Sequence, residues 1–284
     1  MPYSFIIDSI LVQAQRKKEN ILVEYDESFP DKSTCVVYFS SNGIYYPNDE
    51  DTFHREIVEK DRYDWYKTRK AAYKHIFVRD VYKQWYLGGV NEDVNSIEKL
   101  VSRLIELTSG MQHVTTIGSS AGGYASILFG HYLNAEFIFA FSPQVDLNRE
   151  FSRGLLPLWE RYTGNYLHYI NIAWALSSRV CFFYPVDSEC DQYQFSKVKD
   201  WNGTHLFKIN TDQHGALFTG MGLINLFKLS WNQIIDIPSH WYYCPRELSW
   251  LFRQHRLLLK IAKVIPYFKF YSFCKAVAQI GKHK

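Results

Sequence analysis

The sequence predicts an α/β fold, a mostly parallel sheet with helices on both faces. Two observations carry this. Short apolar or β-branched runs alternate with segments of helical periodicity along most of the chain, and alternation of this kind specifies a parallel sheet. The chain of 284 residues is also 47% hydrophobic, enough for a sizeable core. No internal repeat and no low-complexity linker divides it, so one domain with an insertion fits best, over residues 1–240, followed by a tail over 241–284.

The elements follow in order. ILVEY (21–25) reads as a strand, and STCVVYFSSNG carries a β-branched strand into a Ser-Asn-Gly turn. Residues 45–72 are polar, charged and aromatic, and read as a long excursion. HIFVRD (75–80) is a strand. Over 94–107, Val94, Ile97, Leu100, Val101, Leu104 and Ile105 fall at helical spacing, with Asp93 or Asn95 able to cap the start. HVTTIGS is the next strand, with a helix from about 122 to 133 behind it. FIFAFSP (137–143), RVCFFYP (179–185) and HLFKIN (205–210) complete the strands, and a last helix runs from about 216 to 227. Residues 147–178 are too long for a simple crossover and are expected to form a helical cap over the C-terminal edge of the sheet, where open α/β sheets bind ligands.

The bulk numbers exclude several classes. Five cysteines are scattered with no C-x-x-C spacing, which indicates neither a zinc site nor a disulfide framework, and reduced thiols suit a cytoplasmic protein. The N-terminal apolar run is short and interrupted by Asp8, unlike a signal peptide. No stretch approaches 18 uninterrupted apolar residues. Nothing suggests a bound metal, and the glycine pair lacks the Lys-Ser/Thr of a phosphate-binding loop.

The chemistry concentrates in HVTTIGSSAGGYASILFG (113–130). Gly118-Ser119-Ser120-Ala121-Gly122 fits G-x-S-x-G, in which a serine stands on a sharp strand-to-helix turn. The motif alone is weak, since Ser and Gly also serve ordinary helix starts. Its context strengthens it. A serine hydroxyl needs a base, and the base an orienting carboxylate. After RVCFFYP the loop offers Asp187, Glu189 and Asp191; after HLFKIN the loop offers His214. Ser, acid and His therefore follow in the order of that motif's triad, each beyond the end of a strand. Ser120 holds the third position of the motif and Ser119 the variable one. Asp191 is the preferred acid, because its wider loop can return beneath the imidazole, with Asp187 as the alternative. An oxyanion hole needs two backbone N–H donors. Ala121 supplies one, and Ser41 or Asn42 the other, with Gly43 letting the loop bend inward.

These residues carry a resemblance. IGSSAGGYASILFG with FAFSPQ downstream and VRD…WYLGG upstream resembles α/β-hydrolase-fold proteins of bacterial surface-polysaccharide (capsule) loci, and is similar in outline to a capsule O-acetyltransferase of that fold. The likeness spans about residues 30 to 230, includes the later pair Pro143-Gln144, and has its most specific part in the elbow. It implies a triad of Ser120, His214 and Asp191 or Asp187. It also implies a serine-dependent esterase or O-acetyltransferase acting on a carbohydrate. Hydrolysis would need no cofactor; a transferase would take acetyl-CoA as donor, with Arg79 suited to its phosphates. Tyr45, Tyr46, Trp159, Arg161 and Tyr162 are the expected substrate contacts.

The tail is different in character. Residues 246–284 hold nine Lys/Arg against one acid, Glu247, although the net charge of the whole chain is only +3. Arg253, Arg256, Lys260 and Lys263 share one stripe of a helix. A basic amphipathic helix with aromatics suits peripheral contact with a membrane surface, and equally a helix packed on the body with a solvated basic face. No recognition motif for nucleic acid accompanies it. The non-enzymatic alternative is an inactive hydrolase-fold scaffold tethered to a membrane by this tail.

Overall fold

The computed structural model describes residues 5–152, 155–156, 166–201, 203–215, 217, 220–235, 237 and 242–243. The tail from 244 onward, and with it the proposed basic helix, lies outside the described residues.

Among the described residues eight strands form one sheet: β1 (Ile21–Tyr25), β2 (Thr34–Phe39), β3 (Lys74–Val78), β4 (His113–Ser119), β5 (Phe137–Phe141), β6 (Val180–Pro185), β7 (His205–Ile209) and the short β8 (Tyr242–Tyr243). Their spatial order is β1-β3-β2-β4-β5-β6-β7-β8. Among these strands only β1 is antiparallel to its neighbour. The helices are α1 (Ile10–Arg16), α2 (Glu50–Phe53), α3 (Ile97–Thr108), α4 (Ala121–Tyr132), α5 (Asn148–Ser152), α6 (Tyr166–Tyr169), α7 (Glu189–Ser196), α8 (Gly220–Phe227) and α9 (Trp231–Ile235). This is the α/β-hydrolase fold.

Successive side chains of a strand point to opposite faces, and the central strands are apolar on both. Val37 and Phe39 of β2, Ile138 and Ala140 of β5 and Phe182 of β6 join one core cluster with α3 and α4. Val36 and Tyr38, Phe139 and Phe141, and Phe183 join a second with α8 and α9. Burial on both faces is why these strands read as continuous apolar runs. Helix α4 is buried on every side from Ala121 to Gly130, as a helix pressed between sheet and insertion must be. The described part of the insertion packs there, Tyr124 donating its hydroxyl hydrogen to the Tyr169 carbonyl at 2.8 Å, and is tied within itself by Leu147 N–H on Ile170 O. Asp93 and Asn95 do not cap α3. Ser96 does, accepting from Lys99 N–H at 3.2 Å, because the helix begins at Ile97, three residues after the periodicity suggested.

The register aligns the strand ends. Phe39 pairs with Gly118, Ser119 with Phe141, Phe141 with Phe183 and Pro185 with Ile209. The residues following β2, β4, β5, β6 and β7 therefore share one edge. Among the described residues, no helix is long and apolar enough to cross a membrane.

Two glycines let α4 start where it does. A Cβ on Gly118 would lie 1.9 Å from Gly122 O, and one on Gly122 would lie 2.3 Å from Phe39 O. Both obstacles are backbone and cannot rotate away. Gly122→Ala is therefore expected to lose about 2–3 kcal/mol of stability, measured as a shifted denaturant midpoint; an unchanged midpoint would mean that α4 can move away from β2 at no cost.

A second prediction concerns Lys83. It is fully buried, its Nζ donates to Asn48 Oδ1, and it lies over the Tyr45 ring. Burial pushes its amine down to about 6 from an ordinary 10.5, with Asp64 and Asp80 opposing. Between those values the unfolded chain binds the extra proton, so Lys83 makes stability rise with pH across that window, while below about 6 the burial penalty is fully present. Lys83→Met should flatten the rise, read as unfolding free energy at several pH values from 6 to 10.

Candidate active site

Ser120 follows the last residue of β4 and precedes α4. Its φ of 56° and ψ of −121° place it in the left-handed half of backbone space, a conformation that costs about 1–3 kcal/mol for a residue with a Cβ. It is held there by its own N–H, which donates to Phe141 O at 2.9 Å, and by its carbonyl, which accepts from Tyr124 N–H at 3.0 Å. The turn pushes the half-buried hydroxyl out of the sheet edge.

Three side chains meet there. His214 Nε2 is 2.8 Å from Ser120 Oγ. On the far side of the ring, Nδ1 lies 3.0 and 2.9 Å from the two carboxylate oxygens of Asp191. A carboxylate only accepts, so Nδ1 carries the proton and Nε2 presents its lone pair to the serine. Asp191 is 1% exposed, whereas the His214 side chain is 38% exposed. The dyad is thus buried at the acid and open at the serine.

Local structure sets each member. Ser188 caps α7, and its hydroxyl donates to Asp191 Oδ2 at 2.5 Å. Asp191, in the first turn of that helix, is turned back beneath the imidazole. Asp187 is not the partner. It is exposed, and its N–H stitches the loop to Thr211 O at 3.2 Å. The histidine loop is tied from the end of β5, two strands away in the sheet: Gly215 N–H donates to Ser142 Oγ at 3.1 Å, and the Ser142 hydroxyl donates to Gly215 O, also at 3.1 Å. Gly215 has φ of 109°, where a side chain would be strained.

The loop after β2 separates the two expected donors. Ser41 N–H is engaged by Asp64 Oδ2 at 2.9 Å, and so is its hydroxyl. Gly43 N–H donates to Ser41 Oγ. Asn42 N–H has no acceptor among the described residues, and its side chain is anchored on Lys83 O. The free donor of this loop is therefore Asn42. Ala121, first residue of α4, has an N–H without an intrahelical acceptor by its position.

The expected substrate contacts fare unevenly. Arg79 is 1% exposed, paired with Asp61 at 2.8 Å and bonded to Asn20 Oδ1 and Arg62 O, so it cannot reach a ligand phosphate. Tyr45 is fully buried with its hydroxyl on Val81 O, so it cannot frame a substrate either. Tyr46 is exposed. Trp159, Arg161 and Tyr162 lie outside the described residues.

Several neighbours escaped the sequence reading. Gln144 lies beside the serine, with Oε1 3.4 Å from Ser120 Oγ and accepting from Trp85 Nε1 at 2.7 Å. Trp85 belongs to a turn built on buried Asp80, whose carboxylate accepts the N–H groups of Tyr82, Gln84 and Tyr86. The strings FAFSPQ and VRD…WYLGG contained Ser142, Gln144, Asp80 and Trp85 as pattern. Nothing in their spacing announced that they meet at one strand edge. Among the described residues, no cluster of His, Cys, Asp and Glu has the makings of a metal site.

Fold and site together define the class, an α/β-hydrolase-fold protein with an elbow serine, a histidine and a buried aspartate in hydrogen-bonded sequence. The sequence matches no family model and no curated protein. Among solved structures the chain is similar to the capsule O-acetyltransferase of Neisseria meningitidis serogroup A, at 14% identity over 65% of this chain and 78% of that one, with a TM-score of 0.43. It is also similar to an esterase/lipase from an uncultured bacterium, at 13% identity over 87% and 88% of the two chains, TM-score 0.40. A third is an acetyl xylan esterase from Paenibacillus sp. R4, at 10% identity over 69% and 83%, TM-score 0.37. The strand order and the antiparallel β1 specify the fold independently of these likenesses.

Ser142→Ala removes both bonds to Gly215. It should cost about 1–2 kcal/mol and speed amide exchange at Gly215 while leaving that of β4 in step with global stability. Unchanged exchange at Gly215 would show that the loop is held by other contacts.

Proposed function

We propose that the protein is a serine-dependent acyl-ester enzyme, an esterase or O-acyltransferase that works through an acyl-serine intermediate. The observation that carries this is the continuous chain from Asp191 through His214 to Ser120, with the nucleophile's backbone held left-handed.

In this reading Ser120 Oγ attacks the ester carbonyl as His214 Nε2 takes its proton. Asp191 holds Nδ1–H and stabilises the imidazolium, which needs no proton transfer to the carboxylate. The N–H groups of Ala121 and Asn42 stabilise the oxyanion. The leaving alkoxide or thiolate takes the proton from His214. An acceptor hydroxyl then attacks the acyl-serine, with His214 again the base. Water as acceptor makes the enzyme a hydrolase; a sugar hydroxyl makes it a transferase, with acetyl-CoA the donor. What supports a carbohydrate acceptor, and a place in capsule or surface-polysaccharide synthesis, is the resemblance of the elbow and the Pro143-Gln144 pair. The basic tail would hold such an enzyme at the inner face of the membrane as a cytoplasmic peripheral protein.

The test is intact-protein mass after brief exposure to a fluorophosphonate. Wild type should gain one adduct, while Ser120→Ala and His214→Ala should gain none and lose at least about 10⁴-fold in kcat on an activated ester. A folded wild type that takes no adduct would sink the proposal and favour the inactive scaffold.

A further inference from the structure

We infer that Gln144 determines which acceptor resolves the acyl-enzyme, favouring a vicinal diol over a simple alcohol. The inference rests on the acyl-serine reading above and deepens it. The orientation of the Gln144 amide is fixed by its partners. The indole N–H of Trp85 can only donate, and it points at Oε1 from 2.7 Å, so that atom is the carbonyl oxygen. Nε2 faces the other way, toward Glu150 Oε1 at 3.3 Å. Trp85 and Glu150 are each 2% exposed, so the amide is clamped from both ends by buried partners.

The carbonyl oxygen therefore faces the nucleophile, and two acceptors compete there for one hydrogen. Ser120 Oγ is 2.8 Å from His214 Nε2 and 3.4 Å from Gln144 Oε1. Its single hydrogen goes to the nearer atom, the imidazole lone pair. Gln144 Oε1 is left with a lone pair directed at the reacting centre.

The acyl-enzyme sharpens this. Ser120 Oγ is then an ester oxygen without a hydrogen, and the incoming acceptor must sit where it can hand a proton to His214 Nε2. Gln144 Oε1 flanks the same point. A mono-alcohol has one hydrogen and satisfies only one of these atoms. A vicinal diol satisfies both, with the attacking hydroxyl on His214 and its neighbour on Gln144. The attacking oxygen bonds to the acyl carbon, its proton passes to Nε2, the bond from the acyl carbon to Ser120 Oγ breaks, and Nε2 returns the proton to Oγ. The second hydroxyl keeps its hydrogen throughout. Water also carries two hydrogens, so hydrolysis competes with transfer to the diol. The acceptor class this selects is a compound with adjacent hydroxyls, such as a sugar ring.

The test uses the full-length protein with p-nitrophenyl acetate and equal molar ethylene glycol and ethanol in one reaction. The glycol monoacetate to ethyl acetate ratio is read by NMR, together with the nitrophenolate burst. The ratio is internal to each enzyme and so independent of its overall rate. Wild type should favour glycol about five- to tenfold beyond the twofold excess of hydroxyls, the size of one hydrogen bond. Gln144→Met, read on protein that still gives the burst, should fall to the statistical ratio. A burst with a statistical ratio in wild type, or an unchanged ratio in Gln144→Met, overturns the inference and leaves the acyl-serine reading standing. Absence of both burst and fluorophosphonate adduct in folded wild type overturns the two together.

Discussion

The backbone of Ser120 is the constraint on which the rest of the site depends. A residue with a Cβ is held at positive φ between a strand and a helix, and the surroundings must over-determine that conformation. They do so through backbone alone. Gly118 and Gly122 leave room for α4 to press against the ends of β4 and β2, and the Ser120 N–H is fixed on Phe141 of the next strand. The consequence is that the hydroxyl stands clear of the sheet, where residues from three other strand ends can reach it.

The second requirement is that loops of unequal length arrive at one point. Each is tied by a polar contact at the strand edge. Ser188 turns Asp191, Ser142 brackets Gly215, Asp64 grips Ser41, and Asp80 gathers the turn that carries Trp85. Polar groups withdrawn from water, as Ser142, Asp80 and Asp191 are here, are costly unless satisfied, and that requirement becomes position. Burial of the Asp191 carboxylate under an exposed imidazole also gives the site its polarity. The charge partner of the histidine is shielded from water, while its reactive nitrogen faces the open side.

The strand edge also collects groups with no part in a triad. The amide of Gln144 is clamped between Trp85 and Glu150 and brings a carbonyl oxygen to the serine. Arg79, which the sequence offered as a cation for a ligand, is instead an internal strut on Asn20 and Asp61. A charged side chain just past a strand end can face either way. Which way it faces depends on the excursion over residues 45–72, which folds back across it.

By itself the sequence determined the sheet, the order of Ser120, Asp191 and His214, and their placement after strands. Those are one-dimensional facts: runs of Val, Ile and Phe buried on both faces, small residues around the elbow, and loops that follow strands of one direction. It determined α4 almost to the residue, and placed α3 three residues early because Val94 continues a periodicity that Ser96 interrupts. Only the tertiary structure decided between Asp191 and Asp187, since both follow the same strand and the difference lies in how α7 is capped. Only it distinguished Asn42 from Ser41 as the free loop donor, because Asp64 is distant in sequence and adjacent in space. The same holds for Ser142, Trp85 and Gln144. Their roles come from contacts across the sheet edge, and such contacts have no period and no fixed spacing in a chain.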